Sequence, residues 1–125
     1  MTSNLRILFV DDEKELLDIF NLLLEMDGHQ VTCATNYNDA LALVEENPFD
    51  LVITDYRMPR WHGIYLLDMI KDRRPEMPVI MITAYEKDEM IAEARRKGVD
   101  LVLGKPFEYE TLLESIENLM AKKGK

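Results

Sequence analysis

Short, nearly continuous apolar runs alternate along this chain with longer stretches in which apolar residues recur every three to four positions. The short runs have the length of β-strands and lie at 5–10, 31–34, 51–54, 79–83 and 101–103. The longer stretches have the period of amphipathic helices, as Leu16, Phe20 and Leu24 show in the first of them. Strands that alternate with helices in this way predict repeated βα units and a parallel sheet covered by helices on both faces.

Local signals mark the edge of this sheet and the ends of its helices. The run at 31–34 is less uniformly apolar than the others, so we interpret it as an edge strand. Asp12 with Glu15 resembles a capping box at the start of the first helix, and Asn36 can cap the second. Three cationic residues followed by Gly98 are typical of a helix end, because cations stabilise a helix C-terminus. The predicted order is (βα)5, an α/β fold.

The length and composition of the chain fit one domain. Its 125 residues, 47% of them apolar, are the usual size for a single domain and supply enough apolar side chains for one core. We therefore expect a single domain over residues 1–125. Because the sequence ends at Lys125, we also expect no attached DNA-binding or catalytic domain.

The charge and the hydropathy pattern exclude several classes of function. Asp and Glu total 24 against 15 Lys and Arg, a net charge of -9, so the chain repels nucleic acid and anionic lipid. Its apolar runs are far shorter than the roughly 20 residues that span a bilayer. Its N-terminus also lacks a long apolar signal segment. We expect a soluble, cytoplasmic protein with no direct contact to nucleic acid or membrane.

Four of the predicted strands end in residues that can act on metal ions or phosphate. Asp11 and Asp12 follow the first strand, Asp55 follows the third, Thr83 closes the fourth and Lys105 follows the fifth. The carboxyl ends of parallel strands line one edge of a sheet, and ligands bind in the crevice just outside it. In one crevice, three carboxylates, a hydroxyl and an ammonium could together bind a hard divalent cation and a phosphoryl group.

Each of these residues also has a purely structural explanation. Asp12 can cap a helix, Asp55 can open a loop, Thr83 can be an ordinary β-branched strand residue, and Lys105 can be a solvated lysine. Their coincidence at one predicted edge favours a site. Mg²⁺ takes one or two carboxylates together with waters and phosphate oxygens, and Asp11, Asp12 and Asp55 supply such a partial shell. A carboxylate can also be a nucleophile that forms an aspartyl phosphate if positive groups neutralise the phosphoryl oxygens.

A longer pattern around these residues carries a family resemblance. It comprises Asp11-Asp12, Asp55-Tyr56-Arg57-Met58-Pro59 with Gly63, Thr83-Ala84, and Lys105-Pro106-Phe107. The set, which covers residues from about 5 to 120, resembles the receiver domain of two-component response regulators. The resemblance implies a doubly wound, flavodoxin-like sheet of five parallel strands in the order 2-1-3-4-5.

The same resemblance implies roles for the acidic residues. Asp55 would be the phosphoacceptor and would take the phosphoryl group from the phosphohistidine of a sensor histidine kinase or a phosphotransfer protein. Asp12 and Asp55 would ligate Mg²⁺ together with the backbone carbonyl of Arg57, and Asp11 would act through water. The domain would be a switch that catalyses its own phosphorylation and slow dephosphorylation and turns over no external metabolite.

The resemblance also implies roles for the other residues and a departure from the family pattern. Lys105 would contact the phosphoryl group across a cis Lys105-Pro106 bond, and Thr83 would hydrogen-bond a phosphoryl oxygen. An output protein or domain would bind the face formed by the fourth helix, the fifth strand and the fifth helix. Three residues before the lysine, however, the family usually has a mobile aromatic ring, whereas this chain has Val102, which is short and stiff at χ1.

Two other functions stay open from the residues alone. A flavin or nucleotide binder of the flavodoxin-like kind would need a Ser/Thr/Gly-rich phosphate loop after the first strand. This chain has Asp11, Asp12 and Glu13 there, which would repel phosphate in the absence of a metal ion. A phosphohydrolase with an aspartate nucleophile would need a general acid two residues beyond Asp55, where this chain has Arg57.

Overall fold

Five βα units make up the described part of the chain. The computed structural model describes residues 4–58, 61–84 and 88–123, with the backbone alone at 57, 58, 61, 62 and 88. The strands of the main sheet are β1 (Arg6–Val10), β2 (Gln30–Ala34), β3 (Leu51–Asp55), β4 (Val79–Thr83) and β5 (Leu101–Gly104). A separate antiparallel pair, Arg57–Met58 with Trp61–His62, lies between β3 and the third helix. The helices are α1 (Lys14–Met26), α2 (Tyr37–Glu46), α3 (Gly63–Arg73), α4 (Asp88–Arg96) and α5 (Tyr109–Lys122).

The strands form one parallel sheet in the order β2-β1-β3-β4-β5. This order confirms the predicted doubly wound α/β fold. It also confirms that the less apolar second strand lies at an edge, where one flank is open to water. The inner strands β3 and β4 are buried along their whole length, which explains their continuous apolar sequences.

Alternating side chains of each strand enter two separate cores, one on each face of the sheet. In β1, Ile7 and Phe9 pack against α1 and α5, whereas Leu8 and Val10 pack against α2 and α3. The helices therefore cover both faces and leave the ends of the strands open. The functional residues predicted from the sequence lie at one of these ends.

The start of α1 differs from the predicted capping box. The N-cap residue is Glu13, one residue later than expected, and it makes no side-chain capping bond. Instead, the Asp11 carboxylate accepts a hydrogen bond of 2.9 Å from the Glu13 N–H. The predicted pairing of Asp12 with Glu15 is therefore wrong, because Asp11 satisfies this backbone donor from the end of β1.

Two other predicted helix signals are confirmed. The Asn36 side chain accepts a hydrogen bond of 2.8 Å from the Asp39 N–H and so caps α2. Gly98 follows α4 with a φ of 97°, a left-handed conformation that glycine adopts without steric cost. Within the described ranges, no helix is both long enough and apolar enough to cross a bilayer.

Candidate functional site

The carboxyl ends of β1, β3, β4 and β5 lie at one edge of the sheet. Asp55 is the last residue of β3, and Thr83, which pairs with Gly104, is the last residue of β4. Asp11 directly follows β1, and Lys105 directly follows β5. Residues that are up to 94 positions apart in sequence therefore meet at this edge.

Three carboxylates cluster at the centre of this edge. Asp11, Asp12 and Asp55 each offer one carboxylate oxygen, and these oxygens lie within 4.8 Å of one another. Asp11 is fully buried and Asp55 is 7% exposed, whereas Asp12 faces solvent. Oxygen ligands at this spacing, open to water on one side, fit a Mg²⁺ ion that keeps several waters. The carbonyl of Arg57, two residues beyond Asp55, stays a prediction as a ligand.

Lys105 connects the carboxylates of the site. Its ammonium donates hydrogen bonds to Asp11 Oδ2 at 3.0 Å, to Glu13 Oε1 at 2.9 Å and to Asp55 Oδ2 at 3.2 Å. Only 13% of the Lys105 side chain is exposed, so it is not the solvated lysine of the structural alternative. The Lys105-Pro106 peptide bond is cis, as the resemblance implies.

Burial and neighbouring charges shift the pKa values of Asp11 and Lys105. Burial raises the pKa of Asp11 to about 6, against the lowering effect of hydrogen bonds from the Glu13 N–H and Lys105. Burial alone would lower the pKa of Lys105, but hydrogen bonds to Glu13 and Asp11 outweigh it and raise that pKa. Lys105 is therefore fully charged at neutral pH, while ionised Asp11 is costly. A bound cation would offset that cost.

The backbone of Asp55 is fixed from two sides. The Tyr37 hydroxyl donates a hydrogen bond of 2.7 Å to the Asp55 carbonyl. On the other side, the Gly63 N–H donates to the Tyr56 carbonyl, and a Cβ at Gly63 would lie 2.6 Å from the Asp55 carbonyl oxygen. Position 63 therefore excludes any side chain, which gives the glycine of the sequence pattern a physical reason.

Thr83 and Val102 occupy the neighbouring strands. Thr83 is almost fully buried, and its carbonyl accepts a hydrogen bond of 2.7 Å from the Lys105 N–H, which joins the two strand ends. Val102 is half-buried and packs against the core that α2 and α3 cover. Pro59 of the sequence pattern lies outside the described residues.

Sequence reasoning missed two contacts of this site. In the sequence Glu13 reads only as a charge that repels phosphate, and no motif includes Tyr37. Glu13 stands directly after the Asp11-Asp12 pair, and this position was the one available signal of a role. Tyr37 carries no such signal, because its contact with Asp55 depends on how α2 packs beside β3.

Comparison with known proteins identifies the family. A family model described as the response regulator receiver domain matches residues 7–117. The chain is 38% identical over 115 residues to the transcriptional regulatory protein ZraR of Salmonella typhimurium, covering 92% of this chain and 26% of that protein. It thus spans about a quarter of that relative's length. It is 35% identical to chemotaxis protein CheY-3 of Vibrio cholerae, over 98% of this chain and 96% of that protein.

Solved structures show the same fold over nearly the whole chain. A CheY-like response regulator receiver domain protein from Methanospirillum hungatei superimposes with a TM-score of 0.92 at 34% identity, and the match covers 98% of both chains. These matches favour the receiver hypothesis over the flavin-binding and phosphohydrolase alternatives. Receiver domains bind Mg²⁺ at an acidic pocket and partner with histidine kinases and output domains. In sequence and in fold, this chain belongs to the response regulator receiver domain family.

Proposed function

We propose that this chain is a phosphorylation-controlled signalling switch in which Asp55 accepts a phosphoryl group with the help of Mg²⁺. The observation that carries the proposal is the position of the Lys105 ammonium, 3.2 Å from Asp55 Oδ2, beside a cluster of three carboxylates. An acceptor carboxylate, oxygen ligands for a cation and a fixed positive charge are the parts that phosphoryl transfer to an aspartate requires.

Asp55 fits the role of nucleophile better than its two neighbours. Asp11 is fully buried, and its two oxygens accept hydrogen bonds from Glu13 and Lys105. Asp12 faces solvent and is not among the three carboxylates that bond to Lys105. Asp55 closes the central strand β3, between the carboxylates that follow β1 and the end of β4. Asp55 thus bonds to Lys105 and, unlike Asp11, remains 7% exposed.

The proposed phosphoryl transfer is a nucleophilic displacement at phosphorus. A carboxylate oxygen of Asp55 attacks the phosphorus of a phosphohistidine, an acyl–phosphate bond forms, and the bond from phosphorus to the donor imidazole breaks. Lys105 and the Thr83 hydroxyl would hydrogen-bond the phosphoryl oxygens as they arrive. Water would later hydrolyse the acyl phosphate slowly, which returns the domain to its resting state.

The metal ion would be held by this chain's own oxygens. Asp12, Asp55 and the Arg57 carbonyl would bind Mg²⁺ directly, and Asp11 would act through water. When bound, Mg²⁺ would neutralise the charge that develops on the phosphoryl oxygens. The clustered carboxylate oxygens support this assignment, because without a cation three neighbouring negative charges face a single lysine.

The proposed partners are a sensor histidine kinase or phosphotransfer protein as donor and an output protein or domain as receiver of the signal. We assign the output contact to the face formed by α4, β5 and α5. Every residue of β5 is half-buried, unlike the fully buried β3 and β4, so this edge of the sheet is open to a partner. Residues 1–125 would act as one module in this role.

Phosphorylation by a small donor tests the proposal. We would incubate the protein with acetyl phosphate, with Mg²⁺ or with a chelator, and follow the added phosphoryl mass over time. We expect labelling that requires Mg²⁺ and becomes at least tenfold slower in Lys105→Ala, on the scale of removing one preorganised charge. Lys71→Ala is the matched control, because Lys71 is also buried, at 14% exposed, but binds Asp100 instead. Equal labelling rates in both variants would refute the assigned role of Lys105.

A further inference from the structure

The Lys105 ammonium has no proton left for a phosphoryl group in the resting site. A lysine ammonium carries three N–H donors. Its three hydrogen bonds go to three different carboxylates, those of Asp11, Glu13 and Asp55, at 2.9 to 3.2 Å. A phosphoryl oxygen can therefore accept a hydrogen bond from Lys105 only if one of these carboxylates loses its own bond to the lysine.

The three carboxylates differ in the free energy needed to replace their hydrogen bond from Lys105. The side chain of Asp11 is fully buried, and moving Lys105 away from it would leave a desolvated negative charge that water cannot reach. Asp55 is the proposed acceptor and keeps its negative charge, and with it the attraction to Lys105, until the acyl–phosphate bond forms. The Glu13 side chain is 61% exposed, so water can replace Lys105 as its partner. The exchange is therefore cheapest at Glu13.

Glu13 is also separable from the other parts of the site. It does not belong to the cluster of carboxylate oxygens formed by Asp11, Asp12 and Asp55. It is neither the proposed acceptor nor a proposed metal ligand. Its side chain bonds to the described site through Lys105 alone, 92 residues away in sequence. The bond from its backbone N–H to Asp11 does not involve the carboxylate. The Glu13 carboxylate therefore occupies the same ammonium that a phosphoryl oxygen would need.

We propose that Glu13 is a positioning residue that competes with the incoming phosphoryl group for Lys105 and so limits how readily Asp55 is phosphorylated. This inference rests on the proposed function, in which Asp55 is the acceptor. In the resting site Glu13 holds one donor of Lys105 on the β1 side. After transfer, that donor moves to a phosphoryl oxygen and Glu13 becomes hydrated.

Glu13→Gln tests this competition, because the amide keeps the size of the side chain and removes its charge. Glu15→Gln is the matched control, since Glu15 lies in the first turn of α1, is exposed and carries the same charge. We would measure the labelling rate with acetyl phosphate and the affinity for beryllofluoride, a phosphoryl analogue, both at saturating Mg²⁺. At saturating Mg²⁺ every variant carries the metal ion, so a difference in metal affinity does not affect the measured rates.

We expect Glu13→Gln to label about two to five times faster than the parent and to bind beryllofluoride more tightly by a similar factor, the size that an exposed ion pair supports. Glu15→Gln should match the parent. Tighter binding distinguishes competition from damage to the fold, which would weaken the site. Equal gains in both variants, or no gain in Glu13→Gln, would overturn the role of Glu13 while labelling at Asp55 still stands. A parent protein that takes no label would refute the proposed function and this inference with it.

Discussion

The Tyr37 hydroxyl lies 2.7 Å from the carbonyl oxygen of Asp55 and donates a hydrogen bond to it. Tyr37 is the first residue of α2, and only 3% of it is exposed. Burial raises the pKa of this phenol above its usual value, so the hydroxyl keeps its proton at neutral pH. The bond therefore ties the backbone of the proposed acceptor to the helix beside it.

Tyr37→Phe should destabilise the fold, because the variant keeps the ring but leaves a buried carbonyl without its best donor. The Thr54 hydroxyl still donates to this carbonyl at 3.2 Å, so the free energy of unfolding should fall by about 0.5–1.5 kcal/mol, the net contribution of one hydrogen bond. Urea denaturation at neutral pH measures this change. A midpoint equal to that of the parent would show that water replaces the hydroxyl at no cost.

Asp12→Asn should stabilise the metal-free protein by about 0.5–2 kcal/mol, the usual gain from relieving a surface charge conflict. The gain is expected because the Asp12 carboxylate lies close to those of Asp11 and Asp55, and the like charges repel one another. The same variant should lose most of the stabilisation that Mg²⁺ gives the parent. Thermal or urea unfolding with and without Mg²⁺ measures both effects.

Asp72→Asn is the control for Asp12→Asn, because it removes the same charge from an exposed position on α3. It should leave the Mg²⁺-dependent stabilisation unchanged. If Asp12→Asn lowers the stability of the metal-free protein, or if both variants respond equally to Mg²⁺, the three carboxylates do not act as one cation site.

The raised pKa of Asp11 predicts a loss of stability as pH rises in metal-free buffer. Its folded pKa of about 6 lies above the reference value of 3.8, so the folded state holds the proton more tightly than the unfolded state. The stabilisation is complete below the reference value and disappears as pH passes through about 6. Asp11→Asn should therefore gain roughly 1–3 kcal/mol relative to the parent between pH 4 and 7. Urea unfolding across this range measures the difference, and a constant difference would contradict the shift.

His29 should make the protein less stable as pH falls, the opposite pH dependence to that of Asp11. It is 3% exposed, and its Nδ1 accepts a hydrogen bond from the Leu5 N–H, which requires the neutral ring. Burial lowers its pKa despite the nearby carboxylates of Asp27 and Glu117. This contribution is present above the ordinary histidine pKa and is lost as pH falls through the lowered value. Chemical unfolding of His29→Gln should show a smaller loss between pH 7 and 5 than the parent, and equal losses would argue against a neutral His29.

The fold could be predicted from the sequence because the strands carry a strong signal. An inner parallel strand is buried on both faces and must be apolar throughout, as 51–54 and 79–83 are, whereas the edge strand at 31–34 alternates. The placement of chemical groups at strand ends then follows from the fold alone, since parallel strands share one carboxyl edge. That rule accounts for the prediction that Asp11, Asp55 and Lys105 lie together.

The remaining details depend on contacts that local patterns do not encode. The capping prediction for Asp12 failed because the end of β1 brings Asp11 to the Glu13 N–H first. The contacts of Tyr37 with Asp55 and of Glu13 with Lys105 join residues 18 and 92 positions apart. Such contacts are set by how helices and loops pack against the sheet, which only the three-dimensional structure shows.

Direct mapping of the phosphoryl group is the most decisive test of the account. The protein would be labelled with acetyl phosphate and Mg²⁺ and then reduced with borohydride, which converts an aspartyl phosphate to homoserine. Peptide mass spectrometry would then identify the converted residue. We expect conversion at Asp55 alone in the parent and none in Asp55→Asn, whose amide is a poor nucleophile. Conversion at Asp11 or Asp12 in the parent, or labelling of Asp55→Asn at the parent's rate, would contradict the assignment of Asp55 as the acceptor.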